Sequence, residues 1–387
     1  MKKSAVIEDG RPVLRVIMNL VPSNSILLQF KGAVRNLPMI TTWMSTVLDE
    51  GEELRVWQSD MSNAFYLFRI PDQWCPYLAF NVVVGGDRIG RENHLSFALA
   101  CRVLPMGWIS SVAIMQEVSE RILHEKHIDL NHQIVRHRPV PVWMTGLLKE
   151  AKQNNRSWWH VYLDNFASGQ VVGSNETLVG GSQLHELAEE AWKEAHVVSS
   201  AKKRQHAVAE AQELGAWVDG SAGTLGGSPE RFLKLIHSTL FVLGRPQLSK
   251  KLVQIIAGRW VHVLQFRRPA MSLLENTWKF ITSPKFSAGL VHAVKRELLS
   301  CILATPMLHT DLRAGVSEFI TASDASQVGG AVGIAKEVTT LGADFFKSSC
   351  LGSGHVKRIP CIAMFLFSMA LAAHSEPMTF WGWHPLR

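Results

Sequence analysis

The stretch from Ser157 to Gly169, SWWHVYLDNFASG, sets a carboxylate, Asp164, in the middle of a short apolar run. Burying a charge in such a run costs several kcal/mol unless something binds it. The arrangement recurs upstream, where Asp60 ends the apolar run LRVWQSD. Each acid stands where a strand meets a turn, so each side chain can point into a cleft. They lie far apart in the chain, so only a tertiary fold can unite them. Two acids so placed can share a proton or hold divalent cations. Magnesium takes oxygen ligands, with one or two protein carboxylates and the remainder from phosphates and water. A pair of such ions clamps the attacking and leaving oxygens in phosphoryl transfer. Taken singly, each aspartate reads first as a turn or cap residue; the surrounding text changes that reading.

The chain is long enough to build such a cleft. Its 387 residues suggest two or three domains. A hydrophobic content of 47% against 19% charged residues describes a core-forming protein, not a disordered one. The net charge of +7 suits an anionic partner, but its distribution says more than its total. From Arg231 to Leu274 there is no Asp or Glu. That window holds Arg231, Lys234, Arg245, Lys250, Lys251, Arg259, Arg267 and Arg268. Solvated helix faces usually mix signs, so this one reads as a surface that tracks phosphates.

The five cysteines, Cys75, Cys101, Cys301, Cys350 and Cys361, form no C-x-x-C pair. An odd count without pairs fits a reducing compartment, with neither a disulfide scaffold nor a cysteine zinc site. The opening MKKSAVIEDG has two lysines but no apolar region, so it is not a signal peptide. The apolar run from Ile359 to Ala373 falls short of the roughly 20 residues that span a bilayer. The expectation is an intracellular protein, nuclear or cytoplasmic, not secreted and without a membrane partner. Nothing in the sequence signals an oligomeric state.

Along the chain, residues 11–24 read as a strand pair or strand-turn, 54–70 as a strand that changes period at Asp60, and 75–84 as another strand. A helix is expected over 109–124, with Val112, Met115, Gln116 and Ser119 on one side. An insertion spans 121–157, His-rich and Pro-interrupted from 125 onward. The YLDN segment is a hairpin candidate. A helix over 182–195 follows, then a loop (VVSSAKKRQ) and a strand pair around LGAWVDG. Ser228-Pro229-Glu230 is a helix start, with an N-cap, a proline at the first position and an acid in the first turn. Ser249 starts a second helix with Leu252, Ile255, Ile256, Trp260 and Val263 on one face. The segment EFITASDASQVGGAVGIA, 318–335, reads as strand, turn, strand.

RVIMNLVPSN from Arg15, Asp60-Met-Ser-Asn-Ala-Phe65, LPMGWISSVAIMQ from Leu104, Tyr162-Leu-Asp-Asn165, Ser200-Ala-Lys-Lys203 and Leu214-Gly-Ala-Trp217 follow in this order, and together they resemble the motifs of reverse transcriptases. RVIMNLVPSN from Arg15 resembles the fingers segment whose first Arg meets the incoming triphosphate. Asp60-Met-Ser-Asn-Ala-Phe65 resembles the first metal-binding motif. LPMGWISSVAIMQ, from Leu104 to Gln116, resembles L-P-x-G-x-x-x-[SA]-P-A-x-F-Q. Tyr162-Leu-Asp-Asn165 resembles the Y-x-D-D box. Ser200-Ala-Lys-Lys203 and Leu214-Gly-Ala-Trp217 resemble the lysine loop and the primer-grip hairpin. The closest flavour is a retroelement of gypsy or DIRS type.

The resemblance implies an α+β, right-hand polymerase fold. Residues 1–225 would form truncated fingers and a palm with an antiparallel sheet, and 226–300 a helical thumb. Residues 301–387 would hold a fragment of an α/β ribonuclease-H-like domain. It implies an RNA-directed DNA polymerase that takes dNTPs and an RNA or DNA template-primer duplex. Asp60 and Asp164 would hold two Mg2+ ions, with Mn2+ as a substitute. Phe65 would lie beneath the sugar and exclude a 2′-hydroxyl. Gly107 would let backbone approach the nucleotide, Gln116 would order the template side, and Arg15 would pair with the triphosphate. Lys203, with Lys202 as alternate, would protonate the leaving pyrophosphate. Leu214, Gly215, Ala216 and Trp217 would grip the primer. Lys250, Lys251, Arg259, Arg267 and Arg268 would hold the duplex by its backbone.

The sequence departs from the family at Asn165, where the box has its second acid, and at Val112 and Met115, where the motif has Pro and Phe. Ser323-Asp324-Ala-Ser326 resembles the first strand and catalytic Asp of ribonuclease H. No later acid fits that fold's remaining ligands, so this module is expected to be an inactive fragment. Two readings follow: a working polymerase, or a nucleic-acid-binding relic of the same fold. A DNA-templated polymerase or RNA replicase would share the palm but fits the L-P-x-G-W segment less well. Histidines 124, 127, 132, 137 and 160 match no zinc spacing, and Trp158-Trp159 reads as core packing.

Overall fold

A computed structural model describes residues 2–8, 11–136, 156–173, 178–283, 287–314, 319–325, 329–336 and 381–385. Strands β1 (Lys2–Glu8) and β2 (Arg11–Ile17) form an antiparallel hairpin in which Arg15 pairs with Ser4. One helical turn, α1 (Val21–Asn24), follows, with a proline in its first turn. Then come β3 (Glu52–Asp60) and another single turn, α2 (Ala64–Leu67). The strand expected from 75 begins later: β4 (Ala79–Gly85) pairs with β5 (Ser96–Ala100). Residues Asp72–Leu78 form a 3₁₀ stretch that contains Pro76, which has no N–H for a ladder.

Helix α3 (Ser111–Glu125) precedes the hairpin of β6 (Ser157–Tyr162) and β7 (Asn165–Gly173). Helix α4 (Val179–Glu194) and β8 (Gln205–Val208) come next. Among the described residues, β6-β7-β3-β8 form one antiparallel sheet. Its two faces are both covered. Trp159, Val161 and Phe166 share a core with Met115 and Leu123 of α3 and with Ala188 and Trp192 of α4. Trp158, Leu54, Val56 and Val171 share another with Ala211, Ala216, Val218 and Leu225. Strands buried on both faces read as near-continuous apolar runs without alternation, which is why β6 buries both tryptophans completely.

The second layer is a sheet of order β12-β11-β10-β9. It contains β9 (Glu210–Glu213), β10 (Ala216–Asp219), β11 (Thr224–Gly226) and, from much later in the chain, β12 (His309–Asp311). Between β11 and β12 lie α5 (Pro229–Leu243), α6 (Lys250–Leu264), α7 (Glu275–Thr282) and α8 (Ala288–Ala304). They enclose their own core around Trp260, Phe280 and Leu298. Ser228 and Ser249 cap as expected: their hydroxyls accept from Arg231 N and Leu252 N.

Two helix faces differ from expectation. In α6 the inward residues are Val253, Ile256, Ala257, Trp260 and Val263, while Ile255 is 47% exposed. In α3, Met115, Gln116 and Ser119 are buried, but Val112 turns outward. The boundary expected at 301 falls within α8. Beyond it, β12 pairs with β11, as Leu312 N donates to Gly223 O at 2.8 Å.

Strands β13 (Phe319–Ala325), β14 (Gly329–Lys336) and β15 (Trp381–Pro385) form a separate sheet, with Asp324 on β13 paired to Ala331. Most of the 121–157 insertion, His137 included, and the 359–373 apolar run lie outside the described residues. Among the described residues, no helix is long and apolar enough to cross a membrane.

Candidate active site

Tyr162 pairs with Asn165, so the β6–β7 connection is a two-residue turn of Leu163 and Asp164. Leu163 has φ +58°, left-handed for a side chain that rarely adopts it. That conformation costs roughly 1–2 kcal/mol and needs support from outside the turn. Gln116 of α3 supplies it. Its Oε1 accepts from Leu163 N at 2.8 Å, and its Nε2 donates to Val161 O at 3.0 Å and to Glu120 Oε1 at 2.9 Å. Gln116 is completely buried, with its amide saturated by protein groups. It therefore holds the hairpin from behind.

The same turn brings the two aspartates together. Asp60, at the end of β3, pairs in register with Asn165, and Met61 N donates to Asp164 O at 2.8 Å. Burial pushes the Asp164 carboxyl above its usual range, and the Asp60 charge beside it adds to the effect; Lys203 opposes it. The Lys203 ammonium meets Asp60 Oδ1 at 2.8 Å. Its loop is tied to β3, as Ser200 N donates to Asp60 O at 2.7 Å and Lys203 N to Ser200 O at 3.1 Å. Glu189 of α4 accepts from Arg204 and from Ser199 Oγ, which anchors the loop on both sides of the lysine.

These residues fit a divalent cation. A carboxyl raised first by burial and then by a neighbouring carboxylate gains from a cation placed beside both. Two carboxylates also meet magnesium's modest demand on protein ligands. Among the described residues, no cluster of three or more His, Cys, Asp or Glu is arranged for a metal. Such a cation would therefore rely on substrate oxygens for the rest of its shell.

Asn165 does not stand free in the site. Its Nδ2 donates to both carboxylate oxygens of Glu213, at 3.3 Å each. Glu213, on β9, is only 1% exposed and also receives Gln58 Nε2 and His160 Nε2, the latter at 3.1 Å. Sequence reasoning missed Glu213. The available signal was period-2 alternation: in β9 it shares the inward face with Ala211.

The flanking segments converge on this core. Phe65 is half-buried on α2, after Asn63 at φ +53°. Gly107 has φ +97°, which favours glycine. Its carbonyl accepts from Asn24 Nδ2 at 2.9 Å, and Asn24 Oδ1 accepts from Ile109 N at 2.9 Å. The first segment, read from sequence as strand and punctuation, is thus clamped to the L-P-x-G-W turn by Asn24. Leu214 and Gly215, at φ +44° and +84°, form the two-residue turn between β9 and β10, and both values suit a type I′ hairpin. Ala216 is buried, and Trp217 is half-buried between Gln212 and Gly226. Arg231 of α5 donates to Gly215 O at 2.5 Å, joining the helical unit to this turn.

Lys251, Arg259, Arg267 and Arg268 are exposed, whereas Lys250 is half-buried and donates to Ser283 O. His132 hydrogen-bonds Ser157 O at 2.6 Å, and His160 belongs to the Glu213 network. Arg15 and Asp324 sit on the N-terminal hairpin and on β13, outside the β6-β7-β3-β8 sheet.

A scan against protein-family models found no match, and a search of curated proteins found none either. Solved structures do match. One, the foamy viral protease-reverse transcriptase dRH in complex with ds DNA, aligns with a TM-score of 0.52 at 14% identity, over 97% of this chain and 57% of that one. Two more, the foamy viral protease-reverse transcriptase with RNA/DNA hybrid and with dsDNA, align at 0.49 each, with 13% and 15% identity. They cover 99% and 94% of this chain, and 39% and 65% of theirs. The chain thus spans little more than half the length of the first. At this identity the likeness concerns the fold: the chain has a mixed α/β, reverse-transcriptase-like fold.

Proposed function

We propose that this chain is the RNA-directed DNA polymerase module of a retroelement, transferring a nucleotide from a dNTP to a primer 3′-hydroxyl. The observation that carries the proposal is the meeting of Asp60, at the end of β3, with the β6–β7 turn that carries Asp164, and Lys203 at Asp60. It supports a two-carboxylate site for a polyphosphate substrate within a reverse-transcriptase-like fold. Asp60 and Asp164 would hold Mg2+, which when bound stabilises charge on the attacking and leaving oxygens. Lys203 would exchange Asp60 for a phosphate oxygen and donate a proton to the leaving pyrophosphate. Phe65 would close the floor beneath the sugar, and Gly107 would admit backbone close to the nucleotide. Arg15 would pair with the triphosphate. Leu214 to Trp217 would hold the primer, and Lys250, Lys251, Arg259, Arg267 and Arg268 the backbone of the duplex. The solved neighbour was captured with ds DNA, which supports a duplex partner for this chain. Residues from 319 onward, with Asp324, are proposed as a ribonuclease-H-like fragment.

A second reading, a duplex-binding relic without turnover, draws on Asn165, since an amide stands where the resemblance calls for an acid. Calorimetry separates the two. Magnesium is titrated into the chain with template-primer, with and without dTTP. The polymerase reading predicts magnesium binding that tightens at least about tenfold with dTTP and is lost in Asp60→Asn, a change of roughly 1.4 kcal/mol or more. Magnesium binding indifferent to dTTP would favour the relic.

A further inference from the structure

We propose that Glu213 is a positioning residue for Asn165, and that it carries the one negative charge this side of the hairpin can accommodate. The inference rests on the polymerase reading and deepens it. Glu213 reaches three strands of the neighbouring sheet from β9: Gln58 on β3, His160 on β6 and Asn165 on β7. All three present N–H groups to it. The histidine tautomer follows from its other partner. Trp43 Nε1 donates to His160 Nδ1 at 3.4 Å, so Nδ1 is the accepting nitrogen and Nε2 carries the hydrogen toward Glu213. Gln58, His160 and Glu213 are 7%, 0% and 1% exposed.

An ionised carboxylate only accepts, so it matches a ring of donors. The same logic fixes the Asn165 amide. Its Nδ2 must face Glu213, so Oδ1 is the end turned away from it. A carboxylate at 165 would instead set two acceptors against each other in a part-buried place. Asn165 and Glu213 together therefore amount to one amide and one acid. The amide lies beside Asp164, while the acid lies one layer below, next to the Leu214–Gly215 turn. Glu213 is sealed from substrate, so it acts only through Asn165.

The test is a double-mutant cycle on the full chain: the natural protein, Asn165→Asp, Glu213→Gln and the double variant. Thermal unfolding and magnesium calorimetry are read on all four, neither of which needs turnover. Asn165→Asp alone should lower the melting temperature by ~5 °C. The double variant should recover most of that loss, because the amide introduced at position 213 can donate to the carboxylate introduced at position 165. Glu213→Gln alone, at a temperature where it is fully folded, should weaken magnesium binding several-fold, an effect that a merely structural role would not produce. Asn165→Asp as stable as the natural chain, a double variant no better than Asn165→Asp, or unchanged magnesium affinity in Glu213→Gln would each overturn the proposal. Primer extension by the natural chain is scored separately. An intact cycle without extension removes the polymerase reading and keeps the charge placement; extension without the cycle does the reverse.

Discussion

Gln116 shows how one buried side chain can set the geometry of a site it never enters. It holds the backbone at Val161 and Leu163, on either side of Tyr162, and Leu163 is the strained residue of the turn that presents Asp164. Gln116→Leu would leave the Leu163 N–H and the Val161 carbonyl without this partner. Each orphaned group costs about 1–3 kcal/mol. The expected outcome is a loss of ~2–4 kcal/mol in urea unfolding with an unchanged m value, along with reduced extension. Full stability in that variant would show that the turn holds itself. Asp60 and Asp164 stood out in the sequence as charges in apolar runs, and the fold sets the end of β3 beside the β6–β7 turn that carries Asp164. Gln116 was recognised by its motif, but its hydrogen bonds to the hairpin were not, since what a buried glutamine faces depends on the depth of its helix. Glu213 was hidden because an acid within EAQELG reads as an exposed strand residue. Only the position of β9 beneath the hairpin turns it inward.

At the scale of elements, helix starts were the most readable feature, as Ser228 and Ser249 carry their chemistry locally. The inward faces were less so. In KKLVQIIAGRWVHVL adjacent apolar residues allow two faces one position apart, and packing around Trp260 selected Val253 over Ile255. The strands β6 and β7 gave no alternation because both faces of their sheet are covered. The acid-free window yields a prediction at this scale. Arg259, Arg267 and Arg268 are exposed, and replacing all three with Gln should weaken duplex binding without sequence preference. The slope of log K against log salt should fall by up to about 0.9 per lost phosphate contact. An unchanged slope would place the duplex elsewhere.

For the whole molecule, the α+β architecture and the antiparallel central sheet were readable, because their motifs follow one another in order. The closure of the chain was not. Strand β12 returns from beyond α8 to pair with β11, across the whole helical unit, and no local pattern announces a three-residue strand pairing over that distance. Arg313 strengthens this return, donating to Asp49 O, Glu52 O and Ser221 O at 3.0, 2.8 and 3.0 Å. The helical unit is therefore held to the sheets at both ends, by Arg231 on Gly215 at its start and by β12 after its last helix. Such a frame sets the start of α5 beside the Leu214–Gly215 turn. The most direct measurement is primer extension on poly(rA)/oligo(dT) with magnesium or manganese, comparing the natural chain with Asp60→Asn. The account predicts extension by the natural chain and a loss of at least about 100-fold in Asp60→Asn, roughly 2.7 kcal/mol of transition-state stabilisation. Extension that survives Asp60→Asn, or a natural chain that binds the duplex and adds no nucleotide, would contradict it.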